Sequence, residues 1–397
     1  MSKQIHFVTF DAGGGHRTVV EALTVEISRQ YPSWTVRTLN ISKTIFDPID
    51  PFYRLTGRQG EGFFYNNLII AKGWTWIYPL TMFLARLRIW GLYPIARKRL
   101  QQYWLDRQPD IVVSTIPLYN KLLWDSLKSV NPNTPFVTLL SDLADTPPHH
   151  YIEPSIDQFA MCPTAEAVRQ AEDIGVAPEK IFRTSGMSLL PKFYDSTLLD
   201  IPAERQRLGL DPDRLTGLVF FGSQGSDVML AIARSLERLH RDVQLIFLCG
   251  HHQKVVASLR HASTQLVRHV EGFTKDVPYF MKLSDFFIGK PGANSVSEAV
   301  AMHLPVIVEC NRHAVAHELA NADWIRQYQL GIAIESFRNI DKAVEGMLDP
   351  TLFKKLQSNT VAMENRAVIE IPEMLQQILE CQNLDSAHYQ AREECLM

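Results

Sequence analysis

The chain has 397 residues, 46% of them hydrophobic and 21% charged, too long for one ordinary core and about right for two α/β domains. With 40 basic and 43 acidic residues the formal net charge is −3, so bulk charge does not mark a nucleic-acid partner. Five cysteines (Cys162, Cys249, Cys310, Cys381 and Cys395) are widely spaced with no CxxC pair, which argues against a disulfide scaffold or a zinc site and for a reducing compartment.

The start, MSKQIHFVTF, lacks the basic–apolar–small order of a secretory signal, so a cytoplasmic location is expected. Residues 5–10 read as a first strand. It ends in Asp11-Ala12-Gly13-Gly14-Gly15-His16, and Val20, Leu23, Ile27 and Tyr31 then follow a helical period. Consecutive glycines let backbone approach a ligand closely, and a helix N-terminus attracts anions; the same residues also suit a plain strand-to-helix turn. Thr18 occupies the place of the third glycine of a dinucleotide fingerprint, so a Rossmann oxidoreductase is poorly supported. His16 can titrate near neutral pH as a general base, or cap its own helix.

Residues 62–105 contain no acidic side chain, six basic ones (Lys72, Arg86, Arg88, Arg97, Lys98 and Arg99), and Phe63, Phe64, Trp74, Trp76, Phe83, Trp90 and Trp104. The longest uncharged run, 73–85, is 13 residues with Pro79 inside, too short to span a bilayer. Aromatic and basic character without acid suits a segment lying in the headgroups of an anionic membrane, here through Trp74, Trp76, Arg86, Arg88 and Trp90. A buried helical pair with basic flanks is the alternative, and single-stranded nucleic acid is disfavoured by the surrounding pattern.

Further apolar runs at 110–116, 136–141 and 159–162 continue the first half, and runs at 217–221, 243–249, 285–288, 305–308 and 331–334 build the second. Continuous rather than alternating apolarity fits parallel strands covered on both faces, in doubly wound α/β domains. Asp142 stands just beyond the 136–141 run, where it could orient an imidazole, act as the base itself, or serve a turn. The Pro-, Asp- and Gly-broken stretch 193–212 reads as a linker. It separates an N-terminal domain (1–192) from a C-terminal one (213–365), with a helical tail over 366–397.

The second half repeats the first half's opening. The 217–221 run leads into Gly222-Ser223-Gln224-Gly225-Ser226 and then a helix of Val228, Ile232 and Leu236, a plausible diphosphate cradle without a Walker lysine. Gly289-Lys290-Pro291-Gly292-Ala293-Asn294-Ser295 precedes another helix, expected near Val296 with Asn294 or Ser295 as cap. Glu298 would lie in its first turn, able to help the cap or to accept two sugar hydroxyls. The one Asp-x-Asp triplet, Asp211-Pro212-Asp213, reads as a turn rather than a metal site.

The motifs DAGGGHRTVVEAL (11–23), VTLLSDL (137–143), SGMSLLPKFY (185–194), FFGSQGSDV (220–228), FLCGHHQKV (247–255), VEGFTKDVPYFMKLSDFFIGKPGANSVSEAVAMHLPVIV (270–308) and HELAN (317–321), in this order and spacing, resemble a known group. It is the GT-B glycosyltransferases that include the monogalactosyldiacylglycerol synthases and the processive diacylglycerol glucosyltransferases. More distantly the chain is similar to the peptidoglycan lipid-intermediate N-acetylglucosaminyltransferase. The resemblance implies two Rossmann-like domains facing across a cleft and inverting, metal-independent transfer of a hexose from a UDP-sugar to a lipid such as diacylglycerol. No cofactor is implied, and the protein would be peripheral on the cytoplasmic membrane face.

By position, Gly13, Gly14, Gly15 and His16 would form the acceptor-side loop, with His16 or Asp142 catalytic. Gly222, Ser223 and Gly225 would wrap the donor diphosphate, and Gly250 and Phe273 would sit near the base. Lys290, Gly292, Asn294 and Ser295 would close on the phosphates, and Glu298 would hold the ribose. His317-Glu318 stands where the galactolipid enzymes carry a Gln-Glu pair on the donor sugar, and the loop 309–316 before it is longer and carries Arg312 and His313. A nucleotide-sugar epimerase or a non-catalytic protein of the same fold are the competing readings.

Overall fold

The computed structural model describes residues 2–10, 15–57, 59, 77–195, 198–311 and 314–394. It divides into two compact units, Met1–Pro191 with Arg366–Met397, and Lys192–Asn365. The first unit contains β1 (Gln4–Thr9), α1 (Gly15–Gln30), β2 (Thr35–Asn40), α2 (Pro51–Thr56), α3 (Tyr78–Arg107), β3 (Ile111–Ser114), α4 (Asn120–Lys128), β4 (Phe136–Leu139), β5 (Phe159–Cys162), α5 (Ala165–Ile174) and β6 (Ile181–Arg183). The second contains α6 (Ile201–Arg207), β7 (Leu215–Phe220), α7 (Val228–Ser235), β8 (Val243–Leu248), α8 (Gln253–His261), β9 (Arg268–Glu271), α9 (Val277–Lys282) and β10 (Phe286–Gly289). It continues through α10 (Ala293–Ala301), β11 (Val306–Glu309), α11 (Ala316–Tyr328), β12 (Gly331–Ile334), α12 (Ile340–Leu348) and α13 (Pro350–Ala362). A last helix, α14 (Ala367–Glu394), returns to the first unit.

Each unit carries one six-stranded parallel sheet, ordered β2-β1-β3-β4-β5-β6 in the first and β12-β11-β10-β7-β8-β9 in the second. Central strands such as IVVS, FVTL, VQLIFL and FFIG are buried at every position, because helices cover both faces. Gly217 shows how tightly the layers fit: a Cβ there would meet Cζ of Phe286, on the neighbouring strand, at 2.6 Å.

The strand order reverses once in each sheet, between β1 and β3 in the first and between β7 and β10 in the second. Crevices outside the carboxyl ends of strands at such reversals are where open α/β sheets bind ligands.

Residues 193–212, expected as a linker, are instead built into the second unit. Asp200 caps α6 by accepting from the Ala203 amide. The buried Arg205 guanidinium donates to the carbonyls of Leu283 and Pro212 at 3.0 Å each and to Asp285 Oδ2 at 2.9 Å. The breakers mark a helix start and turns rather than free chain. The tail over 366–397 is likewise no separate segment: Val368, Ile371, Leu375 and Ile378 form a buried stripe on α14 at helical spacing. Gln30 of α1 donates to the Ile369 carbonyl, and Glu370 accepts the Ser185 amide at 2.8 Å.

His6 on β1 is fully buried with Nε2 unpartnered, and burial, helped by Arg37 and Arg107, pushes its pKa down to about 4 from 6.5. The fold therefore holds it neutral. Its contribution is present above pH 6.5 and is lost as pH falls toward 4, amounting to about 3 kcal/mol across that window. Urea unfolding of His6→Phe is expected to lose that acid-side slope; an unchanged slope would contradict the assignment.

Candidate functional site

His16 lies in the first turn of α1, just beyond β1, at the reversal of the first sheet. Its Nδ1 is 2.8 Å from the Thr115 carbonyl, just past β3, and 2.6 Å from Ser141 Oγ, past β4. Thr115 is itself tied to β1, its amide and hydroxyl both donating to the Val8 carbonyl at 3.1 and 3.0 Å. A carbonyl only accepts, so Nδ1 carries the proton and the basic lone pair lies on Nε2. Phe10 flanks the imidazole, with ring centroids 4.8 Å apart.

Asp142 makes no direct contact with the imidazole among the hydrogen bonds described. Its Oδ2 accepts from the Tyr151 hydroxyl at 2.9 Å, and that hydroxyl is 3.1 Å from Ser141 Oγ. Tyr151 is completely enclosed, and burial, with Asp142 adding to it, holds its hydroxyl well above the ordinary value. It stays protonated and donates. The loop that carries it is pinned by Asp145, whose carboxylate accepts the amides of His150 and Tyr151 at 2.9 and 2.7 Å. Nothing in the pattern of 145–152 singled out Tyr151; only the fold brings it to Ser141. Gly15 opens α1, whereas Gly13 and Gly14 lie outside the described residues.

At the second reversal the loops after β7 and β8 interlock through glycines. Gly225 (φ +68) sits where a Cβ would lie 2.2 Å from the Cys249 carbonyl, and Gly250 (φ +57) where one would lie 2.1 Å from the Ser223 carbonyl. The His251 amide donates to that same Ser223 carbonyl at 2.8 Å. Gly222 also has positive φ, and Ser223 is exposed on the loop. Beside Gly250, the rings of His251 and Phe273 stack at 4.2 Å and 12°, a flat platform with Phe273 46% exposed. His251 escaped the sequence reading; its neighbour Gly250 was the only signal.

Helix α10 begins at Ala293, a turn earlier than expected, with Gly292 at its N-cap and no side chain capping it. Asn294 and Ser295 are thus inside the first turn; Ser295 donates back to the Gly292 carbonyl at 3.3 Å. Gly292, in ordinary extended backbone, rather than a polar side chain, starts the helix, which leaves the leading amides of α10 at the β7/β10 crevice. Lys290 lies 3.8 Å from Glu318, which with His317 sits in the first turn of α11. Glu298 is half-buried, and burial pushes its carboxyl up to about 8 despite Lys192 nearby. The buried amide oxygens of Asn294 and Asn321 have no hydrogen-bond partner. Asp211 Oδ1 accepts the Asp213 amide at 3.0 Å, so that triplet is a turn. Arg312 and His313 fall outside the described residues.

Two family models match the chain: Monogalactosyldiacylglycerol (MGDG) synthase over residues 53–187 and Glycosyltransferase family 28 C-terminal domain over residues 216–377. The chain is a glycosyltransferase of GT-B architecture, similar to the monogalactosyldiacylglycerol synthases in its first half and to glycosyltransferase family 28 in its second. A rice protein named "Probable monogalactosyldiacylglycerol synthase 2, chloroplastic" is 26% identical over 358 residues, covering 83% of this chain and 70% of the relative. A Staphylococcus carnosus processive diacylglycerol beta-glucosyltransferase is 25% identical over 232 residues, covering 57% and 56%. In fold the chain is similar to Acinetobacter baumannii MurG, with a TM-score of 0.60 and 12% identity over 94% of this chain and 99% of that one. An MnaA–UDP co-structure from S. aureus also scores 0.60, at 14% identity over 96% and 97%. Transferases and UDP-N-acetylglucosamine 2-epimerases share this architecture, so the fold alone does not separate them; the family matches do.

In this glycosyltransferase the basic–aromatic stretch is described over residues 77–105. Helix α3 buries Ala85, Ile89, Ala96, Leu100 and Trp104 on one side and exposes Leu80, Phe83, Leu84, Leu87, Trp90 and Ile95 on the other, with Trp90 77% exposed. Arg86 is exposed. Arg88, expected at the membrane face, turns inward: its Nε lies 2.6 Å from Asp50 Oδ2 and its guanidinium 4.7 Å from the Phe46 ring centroid. A charge that would otherwise be buried alone explains the pairing. Trp74 and Trp76 lie outside the described residues. Among the described residues no helix is long and apolar enough to cross a membrane.

Proposed function

We propose that the protein transfers a hexose from a UDP-sugar to a hydroxyl of a diacylglycerol-type lipid, with inversion and without a metal. The observation that carries this reading is the β7/β10 crevice. The uncapped start of α10, Lys290 and the glycine-interlocked loops converge there, a place of positive field and close-approaching backbone suited to a diphosphate. The His251–Phe273 platform suits a flat base. Glu298 suits the ribose hydroxyls, and the unsatisfied oxygens of Asn294 and Asn321, with His317 and Glu318, suit the hexose. In support, similar structures are solved with UDP, and relatives are named monogalactosyldiacylglycerol synthase and diacylglycerol beta-glucosyltransferase.

In the first unit His16 acts as base. Its Nε2 takes the proton of the lipid hydroxyl as that oxygen attacks the anomeric carbon and UDP departs from the opposite face. Helix amides and the Lys290 ammonium stabilise the departing diphosphate, the work a metal performs elsewhere. Lys290 exchanges Glu318 for phosphate on binding.

Calorimetry in the presence of EDTA tests the donor half: UDP is expected to bind, and Lys290→Ala to weaken it about 30-fold, the worth of one charge-assisted contact. Absence of UDP binding by the intact protein would contradict the reading.

The lipid half rests on the exposed apolar side of α3, flanked by Arg86, Arg97, Lys98 and Arg99 in a stretch without acid. It suits the headgroup region of an anionic membrane at the cytoplasmic face. In flotation at low salt, the protein is expected to rise with vesicles containing phosphatidylglycerol, and a Phe83→Ser/Trp90→Ser variant to stay below. Equal flotation of both would remove α3 as the docking face.

A further inference from the structure

We infer that Tyr151 and Ser141 are positioning residues that carry the influence of Asp142 to the imidazole of His16. The inference rests on His16 as the base in the reading above. The chain of contacts is continuous: Tyr151 Oη donates to Asp142 Oδ2 at 2.9 Å, lies 3.1 Å from Ser141 Oγ, and Ser141 Oγ is 2.6 Å from His16 Nδ1. Both intermediates are enclosed, Ser141 at 4% and Tyr151 at 1% exposure, so the links are not exchanged for bulk water.

Proton positions along the chain follow from which groups can donate. The Thr115 carbonyl accepts from Nδ1–H, and the Ser141 hydroxyl, 3.0 Å from that carbonyl and 3.1 Å from Tyr151 Oη, turns its one proton to the tyrosine oxygen. Tyr151 uses its one proton on the carboxylate. Every group therefore directs a lone pair toward the imidazole, which fixes the Nδ1–H tautomer and favours the imidazolium that forms when Nε2 accepts a proton. An aspartate acting directly on the imidazole would do the same in one step; here the carboxylate acts through two hydroxyls.

A framework of backbone hydrogen bonds holds the relay. The Tyr151 backbone is fixed at three points: its amide on Asp145 at 2.7 Å, its carbonyl accepting from Asn120 Nδ2 at 2.6 Å, and the preceding carbonyl, that of His150, accepting the Leu118 amide at 2.8 Å. Leu118 and His149 both adopt positive φ (70° and 59°), a conformation that side chains resist and that surrounding contacts must impose. Titratable groups facing the relay are Asp142, Asp145, His150 and, from α3, Tyr78.

A double-mutant cycle on turnover tests the relay. Tyr151→Phe and Asp142→Asn are each expected to lower kcat about 10-fold at unchanged KM and to move the acidic limb of kcat/KM to lower pH. Together they are expected to cost no more than either alone, because each breaks the same chain. Multiplicative losses, about 100-fold for the pair, would overturn the relay. So would an Asp142→Asn loss as large as that of His16→Ala with Tyr151→Phe near normal, which makes Asp142 the base. Full turnover in His16→Ala sinks the base assignment itself, a separate outcome. A readout independent of activity is the 15N spectrum of the histidine-labelled protein, with His16 assigned by difference against His16→Ala. The Nδ1–H tautomer is expected in the native chain, with mixing in the Tyr151→Phe variant; an Nε2–H tautomer in the native chain would overturn the proposal.

Discussion

His16→Ala is expected to lower kcat by about three orders of magnitude while leaving UDP affinity unchanged, the range lost when a positioned general base is removed. The imidazole bridges the reversal point of the first sheet, bonded to the Thr115 carbonyl and Ser141 Oγ with its basic nitrogen at Nε2. Alanine removes that nitrogen without disturbing the second unit, to which the UDP contacts are assigned under the proposed function. The split between kcat and UDP binding is therefore the diagnostic: a parallel fall in both would mean that the substitution damages the fold. Turnover near the native rate would return the role of base to another group.

Gly250→Ala is expected to abolish saturable UDP binding and to destabilise the second unit by about 2–3 kcal/mol. A side chain at φ +57 is strained, and the new Cβ would sit 2.1 Å from the Ser223 carbonyl, so the loop after β7 must move away. That displacement also breaks the His251-to-Ser223 hydrogen bond and tilts the ring that stacks on Phe273. Gly209→Ala supplies the comparison. It has positive φ (75°) but nothing within 4 Å of the new Cβ, so it should show the strain without the loss of binding. Equal UDP affinity in Gly250→Ala and the native chain would refute the interlocked-loop account.

The central strands were legible because parallel strands covered on both faces must be apolar throughout. Three strands, β2 (TVRTLN), β6 (IFR) and β9 (RHVE), were not, and all three are outermost in their sheets. An edge strand meets a neighbour on one side only and carries polar residues, so a search for continuous apolar runs passes over it. The helix start at Ala293 was missed for a related reason: Asn and Ser suggest a cap, but the uncapped start that Gly292 provides leaves no polar signature.

Arg88 shows the limit of composition. Arg86, Leu87 and Trp90 on α3 face solvent while Arg88 pairs with Asp50, a residue 38 positions earlier that no local pattern connects to it. Tyr151 and His251 are the same case at the site itself. Each matters through a contact made by the fold, with Ser141 in one and Phe273 in the other. The glycines at 222 and 225 were legible in their own loop, and Gly250 only through the resemblance; each adopts a positive φ that few other residues tolerate.

The most direct test is product analysis. The intact protein, incubated with UDP-glucose or UDP-galactose and vesicles of diacylglycerol with phosphatidylglycerol, should yield one UDP per glycosylated lipid. Proton NMR of that lipid should show the β-anomer formed from an α-linked donor. An epimerised nucleotide-sugar with no glycolipid, or a glycolipid with the α-configuration, would contradict the account.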